Sequence, residues 1–128
     1  YQKYVKWIVD FKGMLKYKYI ISAPGNDKDS GLNWKLLSNS VVMMARPRVT
    51  SWLMENTLAP GIHYILIKDD YSDLLKQFEW CEHHPDKCSK ISTNATKFMK
   101  KFMDEEREVE IEEDVINEYF MRMAPHQK

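Results

Sequence analysis

Two clusters of residues offer chemistry through their types and spacing. The first is the polar, glycine-flanked run Gly25-Asn26-Asp27-Lys28-Asp29-Ser30-Gly31, which leads into the apolar-patterned stretch Leu32-Asn33-Trp34-Lys35-Leu36-Leu37. Glycines let a backbone approach a ligand, and the free N–H groups of a helix start attract an anion, so a diphosphate is the guest expected at the Ser30 and Gly31 amides. Asn26 and Asp27 suit sugar or ribose hydroxyls better than phosphate. The spacing is neither a GxGxxG fingerprint nor a P-loop. The second cluster follows an apolar run: Arg46 and Arg48 flank Pro47 and supply positive charge, and Glu55 carries a carboxylate able to accept both hydroxyls of a ribose.

Other reactive side chains have plainer explanations. His63 lies in an apolar run and reads as a packed histidine, His83 and His84 as loop residues, and Trp34, Trp52 and Trp80 as packing groups. Cys81 and Cys88 bracket Glu82-His83-His84-Pro85-Asp86-Lys87, a spacing that admits a disulfide, two free thiols or a site shared with the histidines, and that matches no standard zinc motif. Asn94-Ala95-Thr96 is an N-glycosylation sequon at Asn94. No Ser-His-Asp order, catalytic carboxylate pair or His-Glu metal motif stands at a persuasive spacing.

The elements that must position these groups alternate. Lys18 to Ala23 reads as a buried strand stopped by Pro24-Gly25, with a short helix from Leu32 to Leu37 capped by Asp29 or Ser30. Val41 to Met44 is a second strand. A helix capped by Thr50 and carrying Trp52, Leu53, Glu55 and Leu58 is expected before Pro60-Gly61, and a third strand from Ile62 to Ile67. Helices follow, one capped by Ser72, one from about Asp86 to Met103, and one after the acidic stretch Asp104 to Glu113; Tyr4 to Leu15 is expected to be helical. Such alternation predicts an α/β fold, a Rossmann-like parallel half-sheet followed by C-terminal helices, with the site at the carboxyl ends of the strands. Residues 1–103 are expected to form this domain and 104–128 a helical extension.

Composition narrows the function classes. Lys plus Arg and Asp plus Glu both number 19, which leaves no overall field for nucleic acid or an anionic bilayer. No apolar run reaches the roughly 20 residues of a membrane span. The sequence opens at Tyr1 without Met, as an excerpt from a longer chain would.

Several blocks together resemble one family. Lys16-Tyr17-Lys18-Tyr19-Ile20-Ile21, Gly25-Asn26-Asp27 and Gly31 to Met44, then Ser51-Trp52-Leu53-Met54-Glu55, Pro60-Gly61-Ile62-His63-Tyr64-Ile65 and Lys68-Asp69-Asp70-Tyr71-Ser72-Asp73-Leu74, are similar in order and spacing to the CAP10-type glycosyltransferases of family 90. The resemblance covers about residues 15 to 103. It implies the C-terminal, donor-binding part of an inverting, UDP-sugar-dependent enzyme of two Rossmann-like domains (GT-B type), acting in the endoplasmic reticulum or Golgi lumen. A glycan or protein hydroxyl would be the acceptor, no metal or other cofactor is expected, and the general base would come from an N-terminal domain not present here, so that this piece alone would be inactive. The donor-binding residues implied are Gly25, Asn26, Asp27, Ser30, Gly31, Asn33, Lys35, Arg46 and Glu55. Two departures stand out: Asn33 replaces an Arg usual two positions before the helix lysine, and Gly61 replaces an aromatic residue. The competing reading is a non-catalytic α/β binding or interaction module with a degenerate donor site.

Overall fold

The computed structural model describes residues 10–123. Three parallel strands, β1 (Tyr19–Ser22), β2 (Val41–Met44) and β3 (Ile65–Leu66), lie side by side in chain order. Parallel neighbours need crossovers: α2 (Leu32–Leu37) bridges the first pair, and an irregular segment with a 3-10 turn at Glu55–Thr57 bridges the second. Then come α3 (Leu74–His83), α4 (Pro85–Lys100), a 3-10 turn at Lys101–Met103, and α5 (Glu105–Met123). A short α1 (Phe11–Met14) precedes the sheet, its first turn capped by Asp10 through the Gly13 amide at 2.7 Å. Of the helix expected from Tyr4, residues 4–9 fall outside the described residues.

Strand β2 is buried along its whole length, as an unbroken apolar run in a central parallel strand should be. Val42 and Met44 point into one core with Leu32 and Leu36 of α2 and Ala95, Phe98 and Met99 of α4. Val41 and Met43 point into the other, with Ile65, Ile67, Cys81, Cys88 and Ile91. Helix α4 therefore serves both faces, while α3 covers one: Phe78 packs edge-on to Tyr19 with centroids 5.3 Å apart, and Glu82 accepts from the Tyr19 hydroxyl at 2.5 Å.

Four expectations are corrected. No helix runs from Thr50 through Leu58. Glu55 folds back to take the Ser51 amide at 2.7 Å, Met54 adopts φ 53°, and only the 3-10 turn remains, so Leu53 and Leu58 are buried while Trp52 is exposed. Strand β3 is shorter than Ile62–Ile67, because the His63 amide donates to Ala59 O at 2.9 Å and its ring Nδ1 accepts from the Ala59 amide at 3.0 Å, closing a turn around Pro60-Gly61. Helix α3 begins after Asp73 rather than with a Ser72 cap. The acidic stretch up to Glu113 lies inside α5 rather than before it, and no residue of that helix is buried. The Pro85 break between α3 and α4 falls as predicted, with Pro85 tolerated in the first turn of α4.

Candidate functional site

Parallel register brings Ser22, Met44 and Leu66 level at the carboxyl edge of the sheet. The three following loops all leave from that edge, where open α/β sheets hold ligands. A cleft of about 290 Å³ lies between the first two loops. Gly25, Asn26, Asp27, Arg46 and Glu55 line it, over a floor of Leu32 and Met44. Ser30, Gly31, Asn33 and Lys35 stand outside its lining.

Glu55 is the most constrained group there. Only 1% of it is exposed, and its carboxylate accepts from the Ser51 amide and the Ser51 hydroxyl, both at 2.7 Å, and from Lys28 Nζ at 3.1 Å. Burial alone would raise its pKa; the Ser51 donors and the Lys28 ammonium outweigh burial and hold it down at about 2. Glu55, expected as a ribose-binding carboxylate, is a buried, ionised acid. Lys28 also reaches the Ser51 hydroxyl at 2.5 Å and lies over the Trp52 ring.

At the start of α2, where an anion is expected at the Ser30 and Gly31 amides, the Gly31 amide is already bonded within the protein. Asp29 Oδ1 accepts from the Gly31 amide at 2.9 Å, and Asp29 O takes the Leu32 amide at 3.1 Å. Asp29 Oδ2 accepts from the Ser22 hydroxyl at 2.6 Å and pairs with Lys35, whose Nζ also reaches Ile21 O at 3.4 Å. Burial pushes the Asp29 carboxyl up, and its bonds to Lys35, Ser22 and the Gly31 amide pull it below the usual value. Lys35 thus neutralises an internal acid, and Gly31 is the N-cap residue in place of Asp29 or Ser30. Gly31 is glycine for packing, since a Cβ there would come within 2.8 Å of Trp34 Nε1. Asn33 spends its side-chain oxygen on the Trp34 amide, and Ser30 is exposed.

The cations beyond β2 behave differently from each other. Arg48 pairs with Asp69 at 2.7 Å on the surface. Arg46 is exposed and makes no ion pair or side-chain hydrogen bond among the described residues. It also borders a second, larger cleft of about 900 Å³ beyond β3, whose wall includes Lys68, Asp73, Gln77 and Trp80; Asp69 borders both clefts as well. Sequence reasoning missed this second cleft and missed Lys28, since neither a lone loop lysine nor polar residues at a helix start carries a periodic signal.

The remaining groups are structural. His63 packs against Phe98 at 5.2 Å, with its pKa lowered by burial and by Lys101. His83 and His84 place Nδ1 against the carbonyls of Glu79 and Trp80. Cys81 and Cys88 are buried free thiols rather than a disulfide, one on each side of the Pro85 break, and burial together with the contact to Cys88 pushes the Cys81 thiol up to about 12. Asn94 is half-buried within α4, and Thr96 of its sequon donates to Leu36 O at 3.3 Å.

The model of glycosyl transferase family 90 matches residues 2–128. The chain belongs to glycosyl transferase family 90. Over 122 residues it is 35% identical to the O-glucosyltransferase LpsA of Dichelobacter nodosus, covering 95% of this chain and 38% of that protein. It is 32% identical to Protein O-glucosyltransferase 2 of Danio rerio over 92 residues, covering 72% of the chain and 18% of the relative. It is 31% identical to the uncharacterized protein 179R of Invertebrate iridescent virus 6 over 97 residues, 71% of the chain and 8% of the relative. The chain thus spans well under half the length of these relatives.

Proposed function

We propose that this chain is the donor-binding part of a UDP-sugar-dependent glycosyltransferase of GT-B type, and that the carboxyl-edge cleft around Glu55 receives the nucleoside. The observation that carries the reading is a carboxylate at the cleft, held by Ser51 and Lys28, whose Oε1 vicinal hydroxyls can take over from Lys28. Lys28 now fills the place that ribose hydroxyls would take. Asn26 and Asp27, both exposed on the rim, supply further polar contacts, and Gly25 leaves the rim open, with nothing within 4 Å of where a Cβ would stand. Family membership and two relatives named O-glucosyltransferases support a glycosyl group as cargo.

The reaction proposed is inverting transfer of a hexose or pentose to a hydroxyl of a glycan or protein acceptor. A base removes the hydroxyl proton as the oxygen attacks the anomeric carbon, and the diphosphate departs from the opposite face with its charge met by cations or N–H donors. No metal or other cofactor is assigned a part. The base and acceptor contacts are assigned to a further N-terminal domain, and this chain alone is expected to be inactive. A secretory compartment rests on the family resemblance, because the cysteines are unbonded and the Asn94 sequon lies inside a packed helix.

A degenerate, non-catalytic binding module is the second reading, favoured by Asn33 and by an α2 start whose Gly31 and Leu32 amides are already bonded to Asp29. Calorimetric titration with UDP separates the two. Saturable binding that weakens in Glu55→Ala supports the donor site; a folded chain that gives no heat with UDP leaves the binding-module reading in its place.

A further inference from the structure

We propose that Arg46 is the diphosphate-binding cation of this chain and that the larger cleft beyond β3 receives the glycosyl group. The inference rests on the donor-site reading above and assigns the parts of the ligand to places that neither the family match nor the named relatives assign.

The cations at this edge of the sheet differ in what they already bind. Lys35 is paired with Asp29, Lys28 with Glu55, and Arg48 with Asp69. An anion arriving at Lys35 or Arg48 must first displace a carboxylate, and Lys28 is freed only once ribose hydroxyls have taken its place on Glu55. Lys68, also without an ion pair among the described residues, borders the cleft beyond β3 alone, whereas Arg46 borders both clefts. Arg46 has no acidic partner among the described residues, and it stands two residues past the end of β2, the middle strand. A guanidinium meets phosphate through two parallel N–H donors, which compensates for the arginine this sequence lacks at Asn33.

The position of Arg46 then orders the ligand. The two clefts meet where Arg46 and Asp69 border both. A nucleoside seated against Glu55 and a diphosphate on Arg46 send the sugar away from β1 and toward β3. The cleft there has the chemistry of hydroxyl recognition. Asp73 commits Oδ1 to the Lys68 amide at 2.8 Å, while Oδ2 has only a 3.5 Å contact with the Gln77 amide nitrogen. That leaves an acceptor oxygen and amide donors together, beside the ammonium-bearing Lys68. Neutral, hydroxyl-rich ligands are held by such paired donors and acceptors. At about 900 Å³ the space exceeds a single sugar and leaves room for an acceptor hydroxyl to approach.

The test is calorimetric titration of the chain with uridine, UDP and UDP-glucose, repeated on Arg46→Ala, Gln77→Ala and Asp73→Asn, each checked for an unchanged circular dichroism spectrum. Arg46→Ala is expected to weaken UDP and UDP-glucose alike by about 10- to 100-fold, the range for a lost charge-assisted pair, and to leave uridine unchanged. Gln77→Ala and Asp73→Asn, whose side-chain oxygen still accepts from Lys68, are expected to weaken UDP-glucose about 3- to 10-fold and UDP by less than about twofold. If UDP binds the parent chain and Arg46→Ala binds it equally well, or if the cleft variants weaken UDP as much as UDP-glucose, the inference is overturned while the donor reading stands. If neither UDP nor UDP-glucose binds the folded parent chain, the donor reading fails and this inference falls with it.

Discussion

Lys28 crosses from the loop after β1 to Glu55, 27 residues on, and the two meet at 3.1 Å with the carboxylate 1% exposed and the lysine side chain 27% exposed. A buried acid without a donor would stay protonated, so this contact and the two from Ser51 keep a charge in the cleft floor at neutral pH. The same bonds tie the first loop to the segment after β2. Site chemistry and local stability therefore depend on the same few atoms.

That dependence sets a pH response. Folding lowers the Glu55 pKa from an ordinary 4.5 to about 2, so the unfolded chain binds more protons in that interval. The stabilisation is complete above pH 4.5 and disappears as pH falls through about 2, and it amounts to on the order of 3 kcal/mol. Melting temperatures of the parent chain and of Glu55→Gln, measured from pH 7 to pH 2, should differ most at neutral pH and converge toward the acid end. A constant difference across the series would mean that the Glu55 charge plays no part.

Asp29 should matter more to folding than its place in a polar loop suggests. Asp29→Ala removes the acceptor for the Ser22 hydroxyl, the Gly31 amide and Lys35 together, groups that are partly buried. We expect a loss of about 2–3 kcal/mol in urea unfolding, with Asp29→Asn losing about half as much because the amide oxygen still accepts from Gly31. Ser30→Ala, an exposed neighbour, should stay within about 0.5 kcal/mol of the parent. Equal effects of Asp29→Ala and Ser30→Ala would contradict the bonding described.

How much of this was legible in the sequence depended on whether a residue acts within its own segment. Val41 to Met44 announced a buried strand by being apolar throughout, and His84-Pro85 announced a helix break, because both signals are local. The helix expected after Thr50 failed because one side chain, Glu55, turned back on the Ser51 backbone, a competition that apolar spacing cannot register. The site was legible in the same uneven way. Gly25, Asn26, Asp27, Arg46 and Glu55 share one cleft because strand order alone puts the loops on one edge. The bonding of the Gly31 amide and Lys35 to Asp29 was not legible, since the opposing charge of Asp29 was visible but its reach was not.

The cysteine pair should be chemically silent. Both thiols are buried, and the Cys81 pKa of about 12 leaves almost no thiolate at neutral pH. Native protein mixed with an aromatic disulfide reagent at pH 7.5 is expected to give no prompt colour, and protein unfolded in guanidinium to give both thiols per chain. Absence of thiols after unfolding without reductant would show instead that Cys81 and Cys88 had closed a disulfide.

Gly61 is held by a property of the backbone. It holds φ 73° in the turn between Pro60 and His63, a conformation that costs an L side chain roughly 1 kcal/mol, although a Cβ there would meet no atom within 4 Å. Introducing an aromatic residue with Gly61→Trp is therefore expected to destabilise the chain by about 1 kcal/mol through strain rather than through a clash. Gly61→Asn, which tolerates the left-handed region better, should lose less than half of that. Chemical denaturation of the three proteins checks the order. If Gly61→Trp proved as stable as the parent, the turn would have to relax to a negative φ, and the shortening of β3 around it would then need a cause other than this turn.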